Sequence, residues 1–256
     1  MTVEEFTKQL KENHLHISHA DLIDESWYEL FSKLLPELKV VYDKLKIERD
    51  KEVTIYPTDT QIFKAFKECK LENLNTIILA QDPYYTSNMA NGLAFDNVKK
   101  SLTKLSPSLL NIIKEMNSDN IIPNSSSSNS YLGHLPSQGV LLLNTALTVE
   151  KGKPESHLET WRPFTEKLLK ELGKQSQLIW CLWGAKALIY IDVIEEGVHT
   201  FTNLRESREH KMIISSHPSP YSAHKSMQGY PAFLGSKPFS RVNEYLKKWN
   251  KTEIKW

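Results

Sequence analysis

The chain has 256 residues, 40% of them hydrophobic, and its 32 basic and 31 acidic side chains leave a net charge of +1. That is enough apolar material for one substantial core, so a single domain over residues 1–256 is expected. The charge balance excludes a global basic field, and any nucleic-acid partner must be held by local patches.

Met1-Thr2-Val3-Glu4-Glu5 lacks the basic start and apolar core of a signal peptide, and Thr2 and Glu5 have the spacing of a helix capping box. Residues Phe6, Leu10, Trp27, Leu30, Leu34, Leu35 and Leu38 recur at helical spacing, so the first fifty residues read as a helical part of the same domain. After Pro57 short apolar runs alternate with amphipathic segments. The runs are Thr76–Ala80, Val140–Asn144, Leu178–Trp183 and Lys211–Ser216; the predicted helices are Ser108–Met116, Trp161–Leu172, Ala185–Ile191 and Phe239–Trp249. Strands alternating with helices predict an α/β fold: a central four-stranded, mostly parallel sheet with helices on both faces.

Asn124–Ser130 reads as a polar surface loop. Lys99, Lys100 and Lys104 form one basic cluster, and Lys225, Lys237 and Arg241 another; both patterns also suit solvated surface. Only Cys69 and Cys181 occur, with no CxxC spacing, which argues against a structural zinc site or a disulfide framework and fits a reducing compartment. No apolar run reaches membrane-spanning length. An intracellular protein is expected: cytoplasmic, or nuclear in a eukaryotic or viral setting.

Each apolar run finishes in residues that a core would not choose. The first ends in Gln81-Asp82-Pro83-Tyr84, the second in Asn144-Thr145, the third in Trp183-Gly184, and the fourth in Ser216-His217-Pro218-Ser219-Pro220. Pro83 cannot continue a ladder, so the first strand must stop at Asp82. In a parallel sheet all four ends open on one edge, where ligands collect, so Asp82, Asn144 and His217 should converge. Together they offer an anion, a donor–acceptor pair and a hydrogen-bond donor beside aromatic rings. Singly, each has a plain structural role as well: a turn cap for Asp82, a strand-end turn for Asn144, a loop anchor for His217.

Gln81-Asp82-Pro83-Tyr84, Gly92-Leu93-Ala94-Phe95, Leu141-Leu142-Leu143-Asn144-Thr145 and His217-Pro218-Ser219-Pro220 with Ser222-Ala223-His224 resemble, in order, the motifs of family 1 uracil-DNA glycosylases. The connecting Ser106-Pro107-Ser108-Leu109 and Leu147-Thr148-Val149 fit as well, and the resemblance runs from about Tyr56 to Trp256. It implies cleavage of the N-glycosidic bond between uracil and deoxyribose in single- or double-stranded DNA, by a monomer that needs no metal or cofactor. A base inside a duplex is out of reach, so the nucleotide must be rotated into a pocket, for which the glycosylases are a standard example.

By the family pattern Asp82 orients the attacking water and opposes a cationic sugar, and His217 donates to uracil O2. Gln81, Tyr84, Phe95 and Asn144 bind uracil: Asn144 pairs with N3–H and O4, Tyr84 fills the space of a thymine methyl, and Phe95 stacks on the ring. Ser108, Ser219 and Ser222 match phosphate-gripping positions. His157 resembles a family histidine near the catalytic acid. Protein inhibitors of the family are implied partners.

The chain departs from the pattern where Tyr85 replaces a histidine, Ala185 replaces a phosphate-binding serine and Ala80 replaces a glycine. In the DNA-intercalating loop Tyr221 replaces a leucine, and residues 226–232 lengthen the segment after Lys225. Tyr221 is therefore expected to be the wedge, with Lys225 and the longer loop adding contact to DNA. Three other readings stay open: a relative with altered base specificity, a DNA-binding relative without catalysis, and a serine hydrolase using Ser216 or Ser219 with His217. The last lacks a Gly-x-Ser-x-Gly elbow.

Overall fold

In the computed structural model the capping box forms as the spacing predicts. The Thr2 hydroxyl accepts the Glu5 N–H at 3.2 Å, and the Glu5 carboxylate accepts the Thr2 N–H at 2.8 Å. The structure describes residues 1–15, 22–98, 105–119, 131–199 and 210–256. Lys99, Lys100, Lys104 and Asn124–Ser130 lie outside the described residues.

In chain order the regular elements are α1 (Val3–Glu12), α2 (Tyr28–Asp50), β1 (Ile55–Tyr56), α3 (Lys64–Glu68), β2 (Thr76–Ala80), α4 (Pro107–Ser118), β3 (Val140–Asn144), β4 (Val149–Glu150), α5 (Leu158–Gly173), β5 (Ile179–Trp183), α6 (Ala185–Leu188), α7 (Ile191–His199), β6 (Lys211–Ser215) and α8 (Pro238–Lys248). The four expected runs form one sheet in the order β3-β2-β5-β6, and every pairing in it is parallel. Every residue of β2, β3 and β5 is buried, which is why those strands read as unbroken apolar runs. From β2 the chain passes to β3 on one side and then crosses to β5 on the other. The strand order therefore reverses about β2, and such a reversal opens a crevice at the carboxyl ends of the strands.

Two features differ from the sequence expectation. The segment expected as one helix over Ala185–Ile191 is two helices, α6 and α7, separated by a turn that buries Tyr190. A second, two-stranded sheet pairs β1 with β4 antiparallel. With two residues per strand it carries no alternation for a sequence reading to detect.

The helical N-terminus belongs to the main core. Trp27, Phe31, Phe63, Phe66, Trp161 and Phe164 meet edge to face or tilted at centroid distances of 5.0–6.4 Å, joining α2 to α3 and α5. Each such pair contributes about 0.5–1.5 kcal/mol beyond the burial of its area. The Trp27 indole also donates to the Cys69 carbonyl at 2.7 Å, so the ring is buried without leaving its N–H unpaired. Among the described residues no helix is long and apolar enough to cross a membrane.

Candidate active site

The first residues beyond β2 and β3 stay tied together. Thr145 N–H donates to Ala80 O, and Ala146 N–H to Gln81 O, each at 2.8 Å; the Thr145 hydroxyl also donates to Gln81 O at 2.8 Å. With Ala80 opposite Asn144 in register, these bonds carry Asp82 and Asn144 to one crevice. His217 arrives from β6, two strands from β2, and crosses the end of β5 at Gly184. A Cβ on Gly184 would stand 2.8 Å from the His217 Cβ, and the φ of +99° at Gly184 is one that only glycine adopts freely. Asp82, Gln81, Tyr84, Phe95, Asn144 and His217 thus line one cavity of about 220 Å³, with Tyr85 and Ser108 also on its wall.

Burial pushes the Asp82 carboxyl above the usual carboxylate range. The Glu155 N–H, which donates to Oδ2 at 2.7 Å, pulls it down, the Glu155 carboxylate raises it, and the Lys186 ammonium lowers it. The Gln81 amide reaches Oδ1 at 3.4 Å. Asp82 is therefore held by donors on both oxygens in a pocket only partly open to water.

His217 is oriented by its own loop. The Ser219 N–H donates to Nδ1 at 3.0 Å, so Nδ1 is an acceptor and the ring proton belongs on Nε2. Burial lowers the imidazole pKa to about 4, which keeps the ring neutral at physiological pH. The Ser222 hydroxyl donates to the His217 carbonyl at 3.0 Å, and the Ser219 and Ser222 hydroxyls lie 2.9 Å apart. Ser216 is spent on structure: its hydroxyl donates to Ser222 O at 2.9 Å and accepts from Phe233 N–H at 3.0 Å. With Ser216 buried and His217 Nδ1 occupied by an amide, neither serine has the base that a hydrolase nucleophile requires.

Asn144 is buried, and its Oδ1 has no hydrogen-bond partner among the described residues. A buried amide oxygen left open beside a cavity is costly unless a ligand completes it. Across the cavity Phe95 packs against His217 and Trp183, each at a centroid distance of 5.6 Å. Its backbone is left-handed at φ +63°, unusual for a bulky residue. The conformation is clamped: the Asn91 side chain accepts the Leu93 N–H and donates to Asp96, while Asp96 accepts the Tyr131 and Leu132 N–H groups. Tyr84 is held by its hydroxyl, which donates to Phe95 O at 3.0 Å and meets the Ser106 hydroxyl at 2.6 Å. Burial pushes the phenol up to about 12.

Ser108 stands in the first turn of α4, just after the Ser106 cap. Tyr221 projects from the loop after β6 at 89% exposure, and Lys225 on the same loop is also exposed. Residues 226–232 form a tight hairpin: Met227 and Tyr230 exchange both backbone bonds, at 3.0 and 2.8 Å, around Gln228 (φ +49°) and Gly229 (φ +84°). The loop is anchored by Ser216 N–H to Pro231 O at 3.0 Å and by the buried Glu115 carboxylate, which accepts Gly235 and Lys237 N–H.

His157 is not brought to the cavity wall. It is 2% exposed, with Nδ1 2.8 Å from the Thr148 hydroxyl and Nε2 2.9 Å from Glu48 on α2. The residue of this loop that touches Asp82 is Glu155, two positions earlier, and its contact is made by backbone, which leaves no signal in the sequence. Asn91 and Asp96 carry no such signal either; the Asn91-Gly92 turn dipeptide is the one sequence mark of the Phe95 clamp.

Comparison with known proteins shows the family and the fold. The model of the Uracil DNA glycosylase superfamily matches residues 66–247. A protein named Uracil-DNA glycosylase from Azobacteroides pseudotrichonymphae is 38% identical over 240 residues, covering 91% of this chain and 98% of the relative. One of the same name from Histophilus somni is 36% identical over 235 residues, 90% of this chain and 96% of the relative. Among solved structures, mimivirus uracil-DNA glycosylase superposes with a TM-score of 0.80 at 26% identity, covering 92% of this chain and 87% of that one. A point variant of the mimivirus protein in complex with UGI gives a TM-score of 0.77 at 25% identity over 92% and 89% of the two chains.

Proposed function

The chain belongs to the uracil-DNA glycosylase superfamily, and on that premise we propose that the cavity under Phe95 receives a uracil nucleotide turned out of DNA, with Asp82 and His217 carrying the hydrolysis. The reaction is excision of uracil, which leaves an abasic site for repair. The observation that carries the assignment of residues is the meeting of Asp82, His217 and the unpartnered Asn144 Oδ1 in one cavity.

As the glycosidic bond breaks, positive charge grows on the sugar and negative charge on uracil. The Asp82 carboxylate opposes the first and holds the attacking water. His217, neutral with its proton on Nε2, donates to uracil O2 as that oxygen gains charge, and being already oriented by Ser219 it needs no reorganisation at that moment. Asn144 accepts uracil N3–H at Oδ1 and donates to O4. Cytosine would face it with an acceptor against an acceptor, and buried mismatches of that kind discriminate strongly. Phe95 stacks on the ring, Gln81 closes the pocket from its backbone side, and Tyr84 stands where a thymine methyl would go.

Ser108, Ser219 and Ser222 grip phosphates around the turned-out nucleotide, Lys225 adds charge, and Tyr221 fills the gap left in the stack. On the same reading the chain acts as a monomer on single- or double-stranded DNA and is open to the protein inhibitor that its mimivirus relative binds. Altered base preference is the second reading, since Tyr85 lines the cavity and is 44% exposed. The test is incubation with a uracil-containing oligonucleotide followed by alkaline cleavage at abasic sites, beside matched thymine and cytosine strands and Asp82→Asn. Strand breaks at uracil alone, absent with Asp82→Asn, are expected; breaks at another base support the second reading.

A further inference from the structure

Two charged side chains with no part in the chemistry above meet over Asp82. Glu155, in the loop between β4 and α5, has a left-handed backbone (φ +66°) that turns its N–H onto Asp82 Oδ2 at 2.7 Å. Its carboxylate pairs with the Lys186 ammonium at 3.3 Å. Lys186 lies in the first turn of α6, directly after β5 and Gly184. The pair therefore ties the β4–α5 loop, whose Glu155 N–H holds Asp82, to the β5–α6 corner. We infer that the Glu155–Lys186 ion pair positions the Glu155 amide on Asp82 and sets the charge that Asp82 experiences, which makes both residues positioning residues for hydrolysis.

The inference rests on Asp82 acting as the catalytic carboxylate. Among the described residues the charged groups acting on Asp82 are Glu155 from its loop and Lys186 from α6, and they act in opposite senses. The Gln81 amide approaches from the end of β2; His217, from the loop after β6, and Tyr85 line the same cavity. Both members of the pair are about half exposed, so the bond itself adds little to stability. Its consequence is local: a carboxylate in a partly desolvated pocket senses a neighbouring charge more than one in water does. Without Lys186, the Glu155 carboxylate faces Asp82 uncompensated. Without the Glu155 carboxylate, Lys186 alone favours the ionised form of Asp82.

The test is the pH dependence of single-turnover uracil release for Glu155→Gln, Lys186→Gln and the double variant, with a parallel 13C NMR titration of the Asp82 carboxyl. Activity needs the carboxylate, so the rate rises with pH through the ionisation of Asp82. Glu155→Gln is expected to move that acid limb to lower pH and Lys186→Gln to higher pH. The rate on the limb should change by about threefold in each direction, the scale of half-exposed charge pairs. The double variant should return toward the parent limb, and Lys186→Arg should keep it. Limbs that stay in place, even with a general loss of rate, or that move the same way in both single variants, overturn the inference. The NMR titration reads the same order without turnover. A parent that titrates as described but releases no uracil would therefore count against the glycosylase reading and leave the pair's effect on Asp82 standing.

Discussion

The backbone N–H of Ser219 donates to Nδ1 of His217 over 3.0 Å, and this one bond settles which nitrogen of the ring carries the proton. The burial of the same ring gives the fold a pH dependence. Burial lowers the folded-state pKa of His217 from 6.5 to about 4. The unfolded chain thus takes up the proton first, and stability that is fully present above the unfolded value is lost as pH falls toward about 4. The loss is on the order of 3 kcal/mol at most. Chemical denaturation of the parent and His217→Gln between pH 7.5 and 4 checks this: the parent's advantage should be flat near neutrality and shrink through that window. A constant difference would contradict the neutral, buried imidazole.

Asp82→Asn and His217→Ala are each expected to lower single-turnover uracil release by about 10²-fold or more, while DNA affinity changes far less. Near-parental turnover in either variant would remove that residue from the chemistry.

Tyr84→Ala is expected to release some thymine from DNA, because on the proposed reading the side chain fills the space that a methyl group would need. The same variant loses the hydroxyl bonds to Phe95 and Ser106, so its melting temperature should fall too. A folded Tyr84→Ala protein with no thymine release would refute the steric role.

Tyr221 is 89% exposed in the free protein, so Tyr221→Ala should leave stability within about 0.5 kcal/mol of the parent. Cleavage of duplex uracil substrate should nonetheless drop, and more than cleavage of single strands, where no stack has to be filled. Shortening residues 226–232 should act in the same sense. Equal duplex activity in both variants would leave Tyr221 as ordinary surface.

Gly184→Ala tests the crossing of His217 over β5. The added Cβ would lie 2.8 Å from the His217 Cβ, at a φ that disfavours any side chain. A stability loss of about 1–2 kcal/mol is expected. A larger effect is expected on turnover, of about 10²-fold, because in the proposed mechanism a displaced His217 no longer meets O2. Thermal melting and single-turnover rates on one preparation separate the two; unchanged turnover would show that His217 tolerates the shift.

Much of the sheet was legible beforehand because β2, β3 and β5 are buried along their whole length, so burial leaves an apolar run in the sequence. The carboxyl-end polar residues Asp82, Asn144 and His217 were legible as interruptions of those runs, and parallel topology made their meeting an expectation. The β1–β4 pair and the split between α6 and α7 were not legible. Both depend on where distant segments dock, and neither carries a turn signal of its own.

By itself the sequence determined which residues could do the chemistry, since residue type and order in the motifs are properties of the chain. What only the tertiary structure decided is their state. The proton on His217 Nε2 follows from an amide in its own loop, the open Oδ1 of Asn144 from burial, and the hold on Asp82 from the Glu155 backbone 73 residues away. Protonation, desolvation and orientation are set by neighbours in space, and backbone donors leave no mark on side-chain identity.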